Sequence, residues 1–116
     1  MSSHAGMPRD AAYLLVAYVP VTHTNCVLDA VFAAGAGVIG DYEACAFVSR
    51  GIGQFRPRRD ALPVIGQVGQ LERVDEDRIE VVVPAPVAQA VVAAVRAAHP
   101  YEEPVWHLLA PAGIGE

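Results

Sequence analysis

The chain contains no lysine; all eight of its basic residues are arginine. That absence excludes a Walker A phosphate loop, which depends on its lysine, and any Schiff-base mechanism. Charge is scarce altogether. Charged residues make up 18% of the 116, and the formal net charge is −5. Binding to nucleic acid needs a cationic face, so this balance argues against nucleic acid as a partner. No stretch reaches the ~18 apolar residues of a membrane-spanning helix, so no membrane partner is expected. Residues 1–12 lack the apolar segment of a secretory signal, and the expected location is the cytoplasm. The two cysteines, Cys26 and Cys45, form neither a C-x-x-C pair nor a zinc spacing. Reduced, buried thiols are the expectation. H-E-x-x-H, EF-hand and G-x-S-x-G patterns are missing as well.

What remains is rich in apolar residues, 53% of the chain. A single domain of this length has little interior. The surplus therefore predicts apolar surface that something covers, most simply another copy of the chain.

Tyr-Leu-Leu-Val-Ala-Tyr-Val at 13–19 is apolar on both alternating faces and predicts a strand covered on both sides. Val27, Val31 and Ala34 then recur at helical spacing over 22–34, with Thr22 or Thr24 as the cap and Gly35 as the stop. Residues 42–49 predict a second strand. Six glycines and prolines between 50 and 69 predict a long loop or extended arm, and loops of that length often carry function. Over 71–83 the alternation places Ile79, Val81 and Val83 on one face and Arg78, Glu80 and Val82 on the other. Val87, Val91, Ala94, Val95 and Ala98 line a second helix, ended by His99-Pro100. Val105–Leu109 predicts the last strand. Residues 1–11 and 111–116 read as flexible tails around one domain at 12–110.

A weak repeat orders these elements. Val19-Pro20 and Ala33-Ala34 return as Val83-Pro84 and Ala97-Ala98, both at an offset of 64 residues. Two βαβ halves in tandem give an α+β, ferredoxin-like βαββαβ domain. Its antiparallel four-stranded sheet would carry both helices on one face, with the first and third strands in the centre.

Several motifs carry chemistry. Gly35-Ala-Gly37-Val-Ile-Gly40 matches G-x-G-x-x-G in letters but follows a helix, whereas the dinucleotide motif follows a strand, so it reads as a helix stop. Gly51-Ile-Gly53-Gln-Phe-Arg56 combines glycine N–H donors with a guanidinium, which suits phosphate or carboxylate oxygens. His99-Pro-Tyr101-Glu102-Glu103 offers an imidazole and two carboxylates, the donor types of a divalent metal or proton-transfer site. Cys45, His23 and His107 are candidates for a further ligand. Asp75-Glu76-Asp77 reads as a solvated acidic turn. Trp106 is expected to be packed.

Taken together, the Ala34–Glu80 segment, with Gly-Asp-Tyr-Glu-Ala-Cys at 40–45, Gly-Ile-Gly-Gln-Phe at 51–55 and Pro-Val-Ile-Gly at 63–66, and the Ala98–Pro104 segment resemble the inserted domain of the Nif-three-like (YqfO) family. That domain is similar to the PII signalling protein and to CutA. The resemblance implies a ferredoxin-like fold with an extended arm between strands two and three, and assembly as a trimer. It also implies that the di-metal site of full-length relatives lies on two flanking lobes outside this sequence, so a cyclohydrolase activity does not pass to it.

The functional expectation is a non-enzymatic module, regulatory or binding, that responds to a small anionic molecule or a metal as a homotrimer. Gly51, Gly53, Arg56 and Tyr101 are the expected ligand-binding residues. His99, Glu102, Glu103 and Cys45 are the expected donors for a divalent metal ion. The alternative is a CutA-like divalent-metal-binding protein; a metal-dependent hydrolase is the remotest reading.

Overall fold

A computed structural model describes residues 12–112; of the expected tails at 1–11 and 111–116, all but residues 111 and 112 lie outside them. The order is β1 (Ala12–Pro20), α1 (Thr24–Ala33), β2 (Phe47–Phe55), β3 (Glu72–Pro84), a 3-10 turn (Ala85–Val87), α2 (Ala88–Ala98) and β4 (Trp106–Leu109). The strands form one antiparallel sheet in the order β2-β3-β1-β4. This is the ferredoxin-like arrangement, with β1 and β3 central. Among the described residues no helix is long and apolar enough to cross a membrane.

The alternation in β1 and β3 decides where the core lies. Leu15, Ala17 and Val19 pair with Val81, Ile79 and Asp77, and all of the apolar members are fully buried or nearly so. They meet Val27 and Val31 of α1 and Val91 and Val95 of α2, each at 0% exposure. Each such side chain contributes roughly 1.5–3 kcal/mol by leaving water.

The helix boundaries follow from local chemistry. At the end of α1 the Gly35 N–H donates to the Phe32 carbonyl and the Ala36 N–H to the Val31 carbonyl. Gly35 takes the left-handed φ of +110° that this closure requires. Pro84 and Pro86 admit only a 3-10 turn before α2, and His99, ahead of Pro100, leaves the helix with ψ 136°. The expected cap at the start of α1 is not formed. His23 holds the N-cap position without a side-chain bond, because the Thr24 hydroxyl is engaged elsewhere: it donates to Asp77 Oδ2 at 2.6 Å.

The second strand starts later than expected. Residues 35–46 form a looped segment, held by Gly37 N–H to Val82 O and Cys45 N–H to Gly37 O, with Ala44 at a left-handed φ of 57°. β2 then runs straight through Gly51 and Gly53. The reason is the length of β3, thirteen residues that template nine pairs with β2. Beyond Glu76, β3 pairs with β2 alone. This two-stranded arm stretches the domain to 47 Å against 28 and 24 Å across. The long loop therefore shrinks to residues 56–71.

Two further expectations are corrected. Asp75-Glu76-Asp77 is not a turn but the middle of β3, and Asp77 is only 5% exposed. The cysteines are free but not buried: Cys26 is exposed and Cys45 half-buried.

Candidate ligand cleft

The arm and the segment after α2 enclose a cleft of 620 Å³. Two bonds fasten that segment to the end of β1: His99 Nε2 to Tyr18 O at 2.7 Å, and Tyr18 N–H to Val105 O at 3.3 Å. A third spans the cleft, where Glu102 Oε1 accepts the Leu62 N–H at 2.9 Å. The loop is thus tethered to the turn by a carboxylate 40 residues away. Phe55 and Tyr101 meet across the same gap, ring centres 5.8 Å apart.

Ile52, Phe55, Pro63, Val64, Ile65 and Val105 supply apolar walls. Polar groups enter at few points: Glu76 and Tyr101, Arg56 and Arg58, Glu102 and Glu103. Glu76 stands at the root of the arm, opposite Gly51 on β2 and Pro20 on β1. Its carboxylate lies over Gly53, where a Cβ would run into it. Gly53 has no left-handed backbone to explain its glycine; room for the carboxylate does. Beside it the Tyr101 hydroxyl is enclosed, with the Glu76 carboxylate as a neighbour. Burial, with the charge of Glu76 and its hydrogen bonding to the hydroxyl, pushes this phenol up to about 12.

His99 is 5% exposed, and its partners fix its tautomer. Tyr18 O can only accept, so Nε2 carries the proton; the Tyr101 N–H can only donate, so Nδ1 accepts it at 3.2 Å. Burial lowers its pKa, against the hydrogen bond to Tyr18 and the charge of Glu76. A neutral imidazole with both nitrogens engaged has no free lone pair for a metal.

Gly53, Arg56, Tyr101, Glu102 and Glu103 therefore line one cleft. Gly51 lies outside it, exposed on β2. His99 stacks under Tyr101, ring centres 5.0 Å apart, as part of the support. Cys45 is not brought near. It bonds at the level of Val82, opposite Leu14 at the start of β1, while His99 bonds to Tyr18 near its end. His107 is exposed on β4 beside Val16, and His23 contacts Thr22. Among the described residues no group of three or more His, Cys, Asp or Glu is placed to hold a metal ion. Glu76 was missed by the motif reading. The signal was there: the alternation that puts Arg78 and Glu80 on the open face puts Glu76 on it too.

The chain is a small ferredoxin-like α+β domain with the fold of CutA, and it has a recess at the arm. CutA from Synechococcus elongatus superposes with a TM-score of 0.61 at 20% identity, over 90% of this chain and 80% of that one. No protein-family model matches the chain. A Mycobacterium leprae protein named GTP cyclohydrolase 1 type 2 homolog is 54% identical over 95 residues, 82% of this chain and 25% of that one. The structure of a Bacillus cereus protein related to NIF3 matches with a TM-score of 0.77 at 40% identity, over 93% of this chain and 28% of that one. The chain is homologous to one segment of the Nif-three-like proteins, and spans about a quarter of the length of the curated relatives it matches.

Proposed function

We propose that the chain is a non-enzymatic binding or regulatory module that works as a homotrimer and takes a small ligand in the cleft between the arm and the 99–105 turn. The observation that carries the reading is the construction of that cleft. His99 and Val105 anchor one wall to Tyr18 of β1 and Glu102 ties it to the other through the Leu62 N–H, yet the interior is left apolar and open. Pockets with apolar walls and a few convergent polar groups are the usual form of a ligand site. The trimer follows from the resemblance to PII and CutA. The open sheet face supports it: Val82, Leu14 and Leu109 sit side by side on three strands, and Phe47 beyond them is 64% exposed. The divalent-metal reading is second. Glu102 and Glu103 are available to it, but His99 would first have to give up a hydrogen bond.

Two readouts test the proposal. Light scattering on a sizing column should give about three chain masses, and Val82→Asp should dissociate the assembly, since a buried unpaired charge costs several kcal/mol. A thermal-shift panel of nucleotides, small anions, amines and divalent metals should contain at least one that stabilises the protein. A ligand at 100 times its Kd adds about 2.7 kcal/mol. A clean monomer overturns the trimer; a panel that moves nothing overturns the cleft as a ligand site.

A further inference from the structure

Of the three carboxylates that line the cleft, Glu102 and Glu103 are exposed and Glu76 alone is half-buried. Glu76 forms no ion pair with any described residue. The neighbouring cations are committed or turned elsewhere. Arg78, two residues along the same face, binds Glu80 at 3.0 Å and the Tyr18 hydroxyl at 3.1 Å. Arg50 binds Asp77. Arg56 and Arg58 line the same cleft but are exposed and do not reach Glu76. His99, the nearest imidazole, is neutral and engaged on both nitrogens. Charges withdrawn from water are ordinarily paired. Here the neighbour is instead a neutral group, the enclosed Tyr101 hydroxyl, which can donate to the carboxylate but brings no charge.

Resting on the reading of this cleft as a ligand site, we infer that its ligand is a small organic cation, an amine or amidine on an apolar or aromatic body, whose N–H donors bind the Glu76 carboxylate and the Tyr101 hydroxyl. Four features converge on that chemistry. The half-buried Glu76 carboxylate has no ion-pair partner among the described residues and attracts a positive charge, and the donor set is too small for a bare metal ion. The apolar walls fit a carbon body. Phe55 and Tyr101 present aromatic rings beside the carboxylate, and such rings attract an organic cation. Gly53 clears the space that lets the carboxylate lie at the floor. The arginines at the cleft then act against a second cation and against cations without an apolar body.

Thermal shift on the full chain decides it, with benzamidine and phenethylamine as cationic probes and benzoate, an adenine nucleotide and magnesium as the other arms. The expected result is a rise of several degrees with saturating benzamidine or phenethylamine. Glu76→Gln should abolish it, and Arg59→Ala, outside the cleft, should not. If Glu76→Gln fails to fold, backbone NMR of the wild-type chain takes its place. Benzamidine should then move the Gly53 amide and Tyr101 resonances, and Gly53→Ala, which displaces the carboxylate, should suppress the response. A shift with benzoate or nucleotide but with neither cation overturns the ligand class and leaves the cleft a ligand site. Silence in every arm overturns both. A benzamidine response that survives Glu76→Gln, or that leaves Gly53 and Tyr101 unmoved, overturns the inference.

Discussion

The two ends of β3 show two ways of using one strand. From Ile79 to Val83 every second side chain is buried under the helices, and β1 and β2 or the end of the sheet flank it. From Glu72 to Asp75 the same strand leaves the sheet, pairs with β2 alone and is wetted on both faces. The first half derives its stability from apolar area. The second has little to bury; its shape comes from backbone pairing and a few tethers such as Glu102 to Leu62. The lesson is a division of labour: the half that packs is sensitive to lost volume, and the half that packs little is under weaker constraint.

Substitutions on either side should differ most. Ile79→Ala removes a fully buried side chain from between the helices and the sheet. It should cost about 2–5 kcal/mol in denaturant unfolding. Leu62→Ala, at a position 80% exposed on the loop, should change stability by no more than about 0.5 kcal/mol. Equal effects would mean that arm and core are one cooperative packing unit, and the contrast would collapse.

The same contrast explains what could be read from the sequence. The packed half was legible because burial imposes period. The alternation in 13–19 and 79–83, the helical spacing of Val91 and Val95, and the 64-residue repeat all place elements that the structure contains. The arm was legible only as an interruption. Gly51 and Gly53 look like loop residues, yet they lie in β2, since β3 supplies the pairing that their own propensity does not. The cleft was half legible. Tyr101, Glu102 and Glu103 stood out as a motif, but Glu76 was hidden in an acidic run of solvated appearance. Only the pairing register sets it opposite Gly51 and turns its neighbour Asp77 inward.

Asp77 marks the border between the halves and should give the next largest effect. Its carboxylate accepts from the Thr24 hydroxyl and from Arg50 Nε at 2.7 Å, which joins α1 to both β2 and β3. Those bonds, that from Thr24 first, hold its pKa below the usual value. Asp77→Ala would leave the buried Thr24 hydroxyl without its acceptor, at a cost of about 1–3 kcal/mol. The pH dependence has a definite sign. A carboxyl depressed in the folded state stabilises above its unfolded pKa of about 3.9, and that contribution is lost as pH falls through the folded value. The wild-type chain should therefore lose stability in that acid range more steeply than the variant. Parallel curves would show that the network does not tie α1 to the arm.

The smallest effect belongs to His99, which supports the cleft from the packed side. Burial depresses its pKa, so the folded protein holds the imidazole neutral at pH values where the unfolded chain takes up a proton. Below an unfolded pKa of about 6.5 the unfolded state binds more protons, and stability falls as pH is lowered. This window lies well above that of Asp77, so the two are separable in one titration. His99→Gln titrates nowhere in the range and should flatten the slope between about pH 6.5 and 5, while the acid limb from Asp77 persists. The charge that a protonated His99 would carry is also the counter-charge that Glu76 lacks. Protonation should thus weaken binding of benzamidine at the floor of the cleft as well as the fold, and the binding loss should set in at the lower, folded pKa, where the loss of stability levels off. If the wild-type slope above pH 5 matches that of His99→Gln, the imidazole is not held neutral by its burial, and the turn it supports is not rigid against protonation.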